Sequence, residues 1–104
     1  MRLLEMVVGE YIRVVEHLIQ TESIENNRII VDREIFKQLL GKYNYISFFD
    51  KTKIYKDMNF IIHDKNNYTM PYKDPVLKKT IRKVIINYKT YQTVKIIYDH
   101  SVEL

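Results

Sequence analysis

The stretch of sequence that decides the fold runs from residue 32 to residue 64 and reads DREIFKQLLGKYNYISFFDKTKIYKDMNFIIHD. Asp32 follows a β-branched run and precedes apolar residues at helical spacing, so its carboxylate can cap a helix. Gly41 can take the left-handed conformation that ends many helices. Ser47 is placed to cap a second helix that runs to about Asp57. The pattern predicts two helices joined by a tight turn, as in a helix-turn-helix.

The segments on either side of this stretch predict further helices and strands. Apolar residues recur every three or four positions from 3 to 19, which predicts a long first helix. Its apolar arc is wide enough either for burial on two sides or for a dimer seam. Short strands are expected at 28–31 and 60–62. Two β-rich runs, 80–86 and 92–98, are predicted to pair as a C-terminal hairpin.

The connection between the second helix of the pair and that hairpin is long. Pro71 and Pro75 each remove a backbone donor, so an irregular arm is expected at 65–75. The run 76–79 fits either an extension of the following strand or one helical turn.

Length and composition indicate a single globular domain, residues 1–104. The chain is 46% hydrophobic and 29% charged, and 104 residues suffice for one core. No cysteine is present, which suits a reducing compartment, and we expect a cytoplasmic protein. The longest apolar runs are three residues, so no membrane span or membrane partner is expected.

The net charge of +4 is unevenly distributed along the chain. Residues 1–25 hold two bases and five acids, residues 26–64 seven and five, and residues 65–104 eight and three. The balance therefore changes from −3 through +2 to +5, and a positive field is expected on the later part of the fold.

The order helix, strand, two helices around a tight turn, strand and basic hairpin resembles the winged helix-turn-helix, with IIVDREIFKQLLGKY and KTKIYKDMNFI as the matching core. The resemblance implies an α+β fold of three helices, a small antiparallel sheet and a long C-terminal β-hairpin wing. The chain is also similar to winged-helix domains that accompany primases and helicases of phages and mobile elements in low-GC bacteria. These include a small single-stranded-DNA-binding protein of staphylococcal cassette chromosomes. The long arm departs from ordinary winged-helix regulators.

Bases and tyrosines interleave after residue 43, which favours nucleic-acid binding. Lysines neutralise phosphates, and tyrosine rings offer stacking platforms for unpaired bases. Tyr11, Tyr55 and Tyr98 are the tyrosines most expected in the core. Single-stranded DNA is the first choice of ligand. The predicted nucleic-acid-binding residues lie on the second helix of the pair, before and within the hairpin, and at its tip: Lys51, Lys53, Lys56, Lys78, Lys79, Arg82, Lys83, Tyr88, Lys89 and Tyr91.

Two other functions remain open. A dimeric transcriptional regulator would place the helix at 47–57 in a major groove, although that helix has no Arg, Asn or Gln to read base edges. A protein-interaction adaptor or inhibitor would use the wide apolar face of the first helix. Expected protein partners are a second copy through helix 1 and a replication helicase or polymerase.

Catalysis is not expected. His17, His63 and His100 are far apart and lack metal-ligand spacing, and no glycine-rich phosphate loop is present. The sequence therefore predicts no enzyme activity, no metal and no cofactor.

Overall fold

A computed structural model describes residues 2–103 of the chain, with side-chain surroundings for residues 2–101. Within these residues four helices combine with a small antiparallel sheet, so the predicted α+β class is confirmed. The elements in chain order are α1 (Arg2–Thr21), β1 (Ile24–Glu25), β2 (Arg28–Val31), α2 (Arg33–Leu40), α3 (Phe48–Asp57), β3 (Ile61–Ile62), β4 (Met70–Lys73), β5 (Thr80–Asn87) and α4 (Tyr88–Glu103).

The helix pair α2 and α3 forms as predicted, with both caps. The carboxylate of Asp32 accepts a hydrogen bond from the backbone N–H of Glu34 at 3.0 Å. The hydroxyl of Ser47 accepts one from the N–H of Asp50 at 3.1 Å. Gly41 ends α2 in the right-handed region, with φ of −77°, so the expected left-handed cap is wrong. Local capping chemistry therefore fixes where both helices begin.

The core forms around α1. The ring of Tyr11 stacks on Phe60 at 3.9 Å between centroids and lies edge-on to Tyr55 at 5.8 Å. Its hydroxyl donates to the carbonyl of Asn87 at 2.7 Å, which joins α1 to the end of β5. The sheet, the helix pair and α4 together bury most of the predicted apolar arc of α1. The buried α1 side chains are Val7, Glu10, Tyr11, Ile12, Val14, Val15 and Leu18.

The sheet is built on β5, the longest strand. Residues 84–87 of β5 pair antiparallel with β2, and Ile85 and Ile86 also pair with β3. The first half of β5 pairs antiparallel with β4, from Met70 opposite Lys83 to Lys73 opposite Thr80. The strand order is β1-β2-β5-β3, with β4 on β5. Strand β1 joins β2 through Asn26 and Asn27, whose φ angles of 54° and 60° suit a two-residue hairpin turn.

The predicted second strand of the C-terminal hairpin is wrong, because residues 92–98 belong to α4. The side chain of Asn87 caps α4 by accepting from the N–H of Thr90 at 3.1 Å. Tyr88, Tyr91 and Tyr98 then recur at helical spacing and face the core. Isolated β-branched residues disfavour a helix only weakly, so packing against α1 decides the outcome.

A hairpin does form, one strand earlier in the chain than predicted. The expected irregular arm contains β4, which pairs with β5 around a turn at 74–79. The run 76–79 is part of this turn and neither extends the strand nor forms a helix. Strands β3 and β4 both pair with β5, and only Val84 separates the parts of β5 that they contact. Between β3 and β4 themselves the chain has seven residues, 63–69. Residues 63–69 therefore leave the sheet as a loop.

Candidate nucleic-acid interface

Lysines concentrate on the hairpin that β4 and β5 form, residues 70–83, which we call the basic hairpin. It holds five bases and one acid. Lys73, Lys78 and Lys79 are exposed and Lys83 is half-buried. The ion pairs found among residues 2–101 involve none of these four lysines. The hairpin therefore carries four lysines without an ion-pair partner among the described residues, and the strand register puts Lys73 and Lys83 on opposite faces.

Asp74 organises the turn at the tip of the basic hairpin. Its carboxylate accepts hydrogen bonds from the backbone N–H groups of Val76 at 2.8 Å and Leu77 at 2.9 Å. Its own N–H donates to the carbonyl of Lys79 at 2.9 Å, and its carbonyl accepts from the N–H of Lys78 at 2.8 Å. The bonds from Leu77 and Val76, with the nearby ammonium groups of Lys83 and Lys79, lower the pKa of Asp74. The one acid of the hairpin is thus a structural part of the turn.

Arg82 lies in the basic hairpin but already has protein partners. Its guanidinium donates to the carboxylate of Asp64, and to the hydroxyl and carbonyl of Thr69, both at 2.8 Å. These bonds fasten the loop at 63–69 to the base of the hairpin. We therefore assign Arg82 a positioning role, and its contact with nucleic acid stays a prediction.

Lys51 was expected on the outward face of α3, and this is wrong. Its side chain is 1% exposed, and its ammonium group lies 2.7 Å from the carboxylate of Glu10, which is also 1% exposed. The ammonium group also donates to the carbonyls of Leu40 and Tyr43. All three ammonium protons therefore have protein acceptors, and Lys51 cannot contact a phosphate.

The carboxylate of Glu10 is the centre of this buried network. It also accepts from the hydroxyls of Tyr45 at 2.9 Å and Tyr55 at 3.2 Å. Through Glu10 and Lys51 the network joins α1 to the end of α2, to the turn that follows and to α3. It therefore fixes the angle between the paired helices.

The same network changes the acidity of its tyrosines. Burial raises the pKa of Tyr45, and the hydrogen bond to Glu10 raises it further. Burial, followed by the negative charge of Glu10, raises the pKa of Tyr55 well above its ordinary value. Burial likewise raises the pKa of Tyr11. These hydroxyls are therefore protonated and can donate hydrogen bonds at neutral pH.

The outward surface of α3 is only weakly basic. Lys53 is exposed and Lys56 is half-buried, so the structure leaves both predicted residues accessible. Asp50 and Asp57 are exposed on the same helix. Next to them the ring of Phe49 is 75% exposed. Because α3 has no Arg, Asn or Gln to read base edges, its surface suits contacts to a sugar-phosphate backbone better than base reading.

The loop that precedes the basic hairpin contacts the helix pair. Tyr68, two residues before β4, lies edge-on to Phe48 in the first turn of α3, with 5.4 Å between the ring centroids. It also stacks on Phe36 of α2 at 6.0 Å. The loop at the base of the hairpin therefore rests on α2 and on the first turn of α3.

The tyrosines predicted at a hairpin tip do not form exposed stacking platforms. Tyr91 is only 8% exposed and donates to Glu16 at 3.4 Å. Tyr88 is half-buried and stacks on Tyr91 at 5.5 Å. The prediction that these two lie at the tip of a hairpin is wrong, because both face the core from α4. Lys89 is exposed on α4, outside the basic hairpin.

The structure brings together one group that sequence reasoning missed. The guanidinium of Arg13 lies 5.0 Å from the ring centroid of Tyr43, which is 50% exposed. They line a groove of about 230 Å³ beside α1, which Tyr98 also lines. Arg13 lies on the polar side of α1, where its helical position gave no signal of this partner.

The described part of the chain contains neither a metal-binding cluster nor a membrane-spanning helix. Among those residues no three His, Cys, Asp or Glu side chains are grouped closely enough to hold a metal ion. Nor does any described helix combine the length and apolarity needed to cross a bilayer.

Comparison with known proteins adds no relative. No protein-family model matches the sequence, and a search of curated proteins finds no significant match.

Proposed function

We propose that this chain is a winged-helix protein that binds DNA through its phosphate backbone. The order α1, β2, α2, α3, β3, β5, with β5 between β2 and β3, supports the winged-helix assignment. In this assignment α3 is the helix presented to DNA, and the basic hairpin is the wing.

The observation that carries the proposal is the set of four lysines on the basic hairpin that have no ion-pair partner among residues 2–101: Lys73, Lys78, Lys79 and Lys83. Each lysine can neutralise one phosphate and release its counterion, which gives affinity without sequence preference. Lys53 and Lys56 add charge on α3. The scarcity of base-reading side chains on α3 fits the same mode of binding.

Duplex DNA is the ligand that this geometry favours. Single-strand binding would depend on exposed rings beside the cations. Tyr88 and Tyr91, which were expected to supply them, lie on α4 and pack against the core. A lysine-bearing hairpin together with a helix instead suits two neighbouring backbone segments of a duplex.

A titration tests the proposal. Matched duplex and single-stranded oligonucleotides are titrated with the wild type, Lys78→Ala/Lys79→Ala, and the control Lys42→Ala/Lys89→Ala, which removes the same charge from exposed sites elsewhere. The hairpin variant is expected to reduce the slope of log affinity against log salt for duplex by about 2, because two phosphate contacts are lost. The control is expected to leave the slope unchanged. Equal slopes for both variants, or no duplex binding by the wild type, would contradict the proposal.

Single-stranded DNA is the second candidate, favoured by the groove at Arg13 and Tyr43. There a cation and a half-exposed ring stand together beside α1. If this groove is the site, Tyr43→Ala will weaken binding of the single strand and leave duplex binding unchanged.

The biological setting that we propose comes from the resemblance to winged-helix domains of mobile elements. In that setting the protein serves replication or maintenance of a phage or mobile element in the cytoplasm. Its protein partners would be a helicase or polymerase, or a second copy through the exposed N-terminal part of α1. Co-purification with such an enzyme tests this setting independently of DNA binding.

A further inference from the structure

The tip of the basic hairpin carries two apolar side chains that the fold does not use. Val76 is 84% exposed and Leu77 is 57% exposed. Val76 is the most exposed of the large apolar residues in the described part of the chain. They are adjacent and stand at the end of a two-stranded hairpin, so they project together from the body of the protein.

The turn that carries this pair is held firmly. The carboxylate of Asp74 binds the backbone N–H groups of both Val76 and Leu77. Pro75 restricts its own φ angle, and Lys78 takes the left-handed region with φ of 56°. The hydrogen bond from the N–H of Asp74 to the carbonyl of Lys79 closes the turn at its base. Little conformational entropy is then lost when the tip binds, because its shape exists beforehand.

Cations surround the apolar pair. Lys73 and Lys83 lie along the strands below the tip, and Lys78 and Lys79 follow Leu77 directly in the turn. A partner for this tip needs a negatively charged exterior and an apolar interior that a narrow wedge can reach. Duplex DNA has both, since its phosphates flank the stacked bases. An anionic bilayer shares this chemistry, but interfacial binding depends on a broad apolar face, and two side chains offer little area.

We propose that Val76 and Leu77 act as a wedge that enters the minor groove, partly unstacks one base step and bends the duplex. This inference rests on the proposed function, because the lysines must first bring the hairpin onto the phosphates. Apolar side chains inserted between base pairs kink DNA by roughly 20–90°. Pyrimidine–purine steps open most easily, so sites with a central TA or CA step are bound more tightly than sites with a stiff A-tract.

The test measures the bend and the affinity in one experiment. A duplex with a central TA step carries a fluorescent donor and acceptor at its two ends, and energy transfer reports the distance between them. The proteins compared are the wild type, Val76→Ser/Leu77→Ser, and the control Ile24→Ser/Ile96→Ser. The control replaces two exposed apolar residues of β1 and α4, which are 39% and 61% exposed. Circular dichroism checks that all three proteins fold.

The wild type and the control are expected to increase energy transfer on binding. The wedge variant is expected to bind about ten-fold more weakly with little increase, since it retains the lysines but loses the apolar insertion. Its salt slope is expected to match that of the wild type, because no phosphate contact is removed. Equal energy transfer in the wedge variant and the wild type would overturn the wedge and leave backbone binding intact.

Two further outcomes separate the wedge from its alternatives. If the wild type does not bind duplex at any salt concentration, the proposed function fails and the wedge fails with it. Vesicles of phosphatidylserine and phosphatidylcholine serve as the second probe. The wedge is also overturned if Val76→Ser/Leu77→Ser loses binding to these vesicles and the wild type does not bend DNA. The tip is then a lipid contact.

Discussion

Lys51 and Lys53 stand two residues apart in α3, and their surroundings give them opposite roles. The ammonium group of Lys51 is enclosed by the carboxylate of Glu10 and two backbone carbonyls, whereas Lys53 faces solvent. Removing one partner of a buried ion pair destabilises the folded protein, because the remaining charge stays buried without compensation. A surface lysine has no such constraint.

The first prediction compares the two lysines. Lys51→Met is expected to lower the free energy of unfolding by about 3–5 kcal/mol, since the carboxylate of Glu10 loses its cation. The matched control Lys53→Met is expected to change it by less than about 0.5 kcal/mol. Urea denaturation followed by circular dichroism measures both. Similar losses in the two variants would show that the buried pair is not the origin of the effect.

A double variant isolates the interaction itself. Glu10→Gln/Lys51→Met removes both charges, so its loss of stability is expected to be smaller than the sum of the two single losses. If the loss of unfolding free energy in the double variant equals the sum of the losses in Glu10→Gln and Lys51→Met, the two residues do not interact energetically in the folded protein.

The second prediction concerns alkaline pH. Burial raises the pKa of Tyr11, Tyr45 and Tyr55 in the folded protein, and in the unfolded chain tyrosine ionises near pH 10. Below that pH both states keep the protons and stability is unaffected. Above it only the unfolded state releases them, so the free energy of unfolding falls as pH rises. For Tyr11 and Tyr55 the fall approaches about 1.4 kcal/mol per pH unit each.

Denaturation midpoints measured at successive pH values above 10 test this dependence. Tyr55→Phe is expected to make the decline shallower, because one ionisable group is removed. Tyr43→Phe is the control, since the side chain of Tyr43 is half exposed. An equal decline in the two variants would contradict burial as the cause.

One residue in the sequence carried a signal for the buried network. Glu10 lies on the apolar side of α1 between Val7 and Val14. Because a buried charge is costly unless it is paired, an acid at this position indicates a buried partner. That partner is 41 residues away, so its identity follows only from the tertiary fold. Spacing within α3 alone gave Lys51 and Lys53 the same role.

Among the elements, those with local signals were predicted well and those that depend on distant partners were not. Capping residues and apolar periodicity located α1, α2 and α3. The residues of α4 are β-rich, and only the cap at Asn87 and the spacing of Tyr88, Tyr91 and Tyr98 indicated a helix. Pro71 lies within β4, where two prolines had suggested an irregular arm. In both cases pairing or packing with a remote element overrides the local preference.

The third prediction belongs to the basic hairpin. Asp74→Ala removes the only acid of the hairpin, yet it is expected to weaken duplex binding, because the two bonds that shape the turn are lost. Asp74→Asn keeps an oxygen acceptor and removes the charge, so it is expected to strengthen binding. Fluorescence anisotropy with a labelled duplex measures both affinities. If the alanine variant also binds more tightly than the wild type, net charge alone governs the hairpin and the shape of its turn is irrelevant.

At the scale of the whole molecule, the charge trend read from the sequence finds a physical location. The later part of the chain is the most basic, and four of its lysines lie on one hairpin without acid partners among residues 2–101. Arg82 and Lys95 are instead held by Asp64 and by Glu16 and Asp99. Counting charges along the chain gave the sign of the field, whereas the choice of free cations required the three-dimensional contacts.

The salt dependence of duplex binding tests most directly whether the lysines of the basic hairpin contact phosphates. The wild type is compared with a variant that replaces Lys73, Lys78, Lys79 and Lys83 by alanine, and with a second variant that replaces Arg2, Arg13, Lys42 and Lys89. Each variant removes four positive charges and takes the formal net charge from +4 to 0.

The hairpin variant is expected to lose about 3.6 from the slope of log affinity against log salt, which is about 0.9 for each lost phosphate contact. The second variant is expected to keep the wild-type slope. Equal reductions in the two variants would contradict the central claim, because duplex binding would then follow total charge and not the lysines of the basic hairpin.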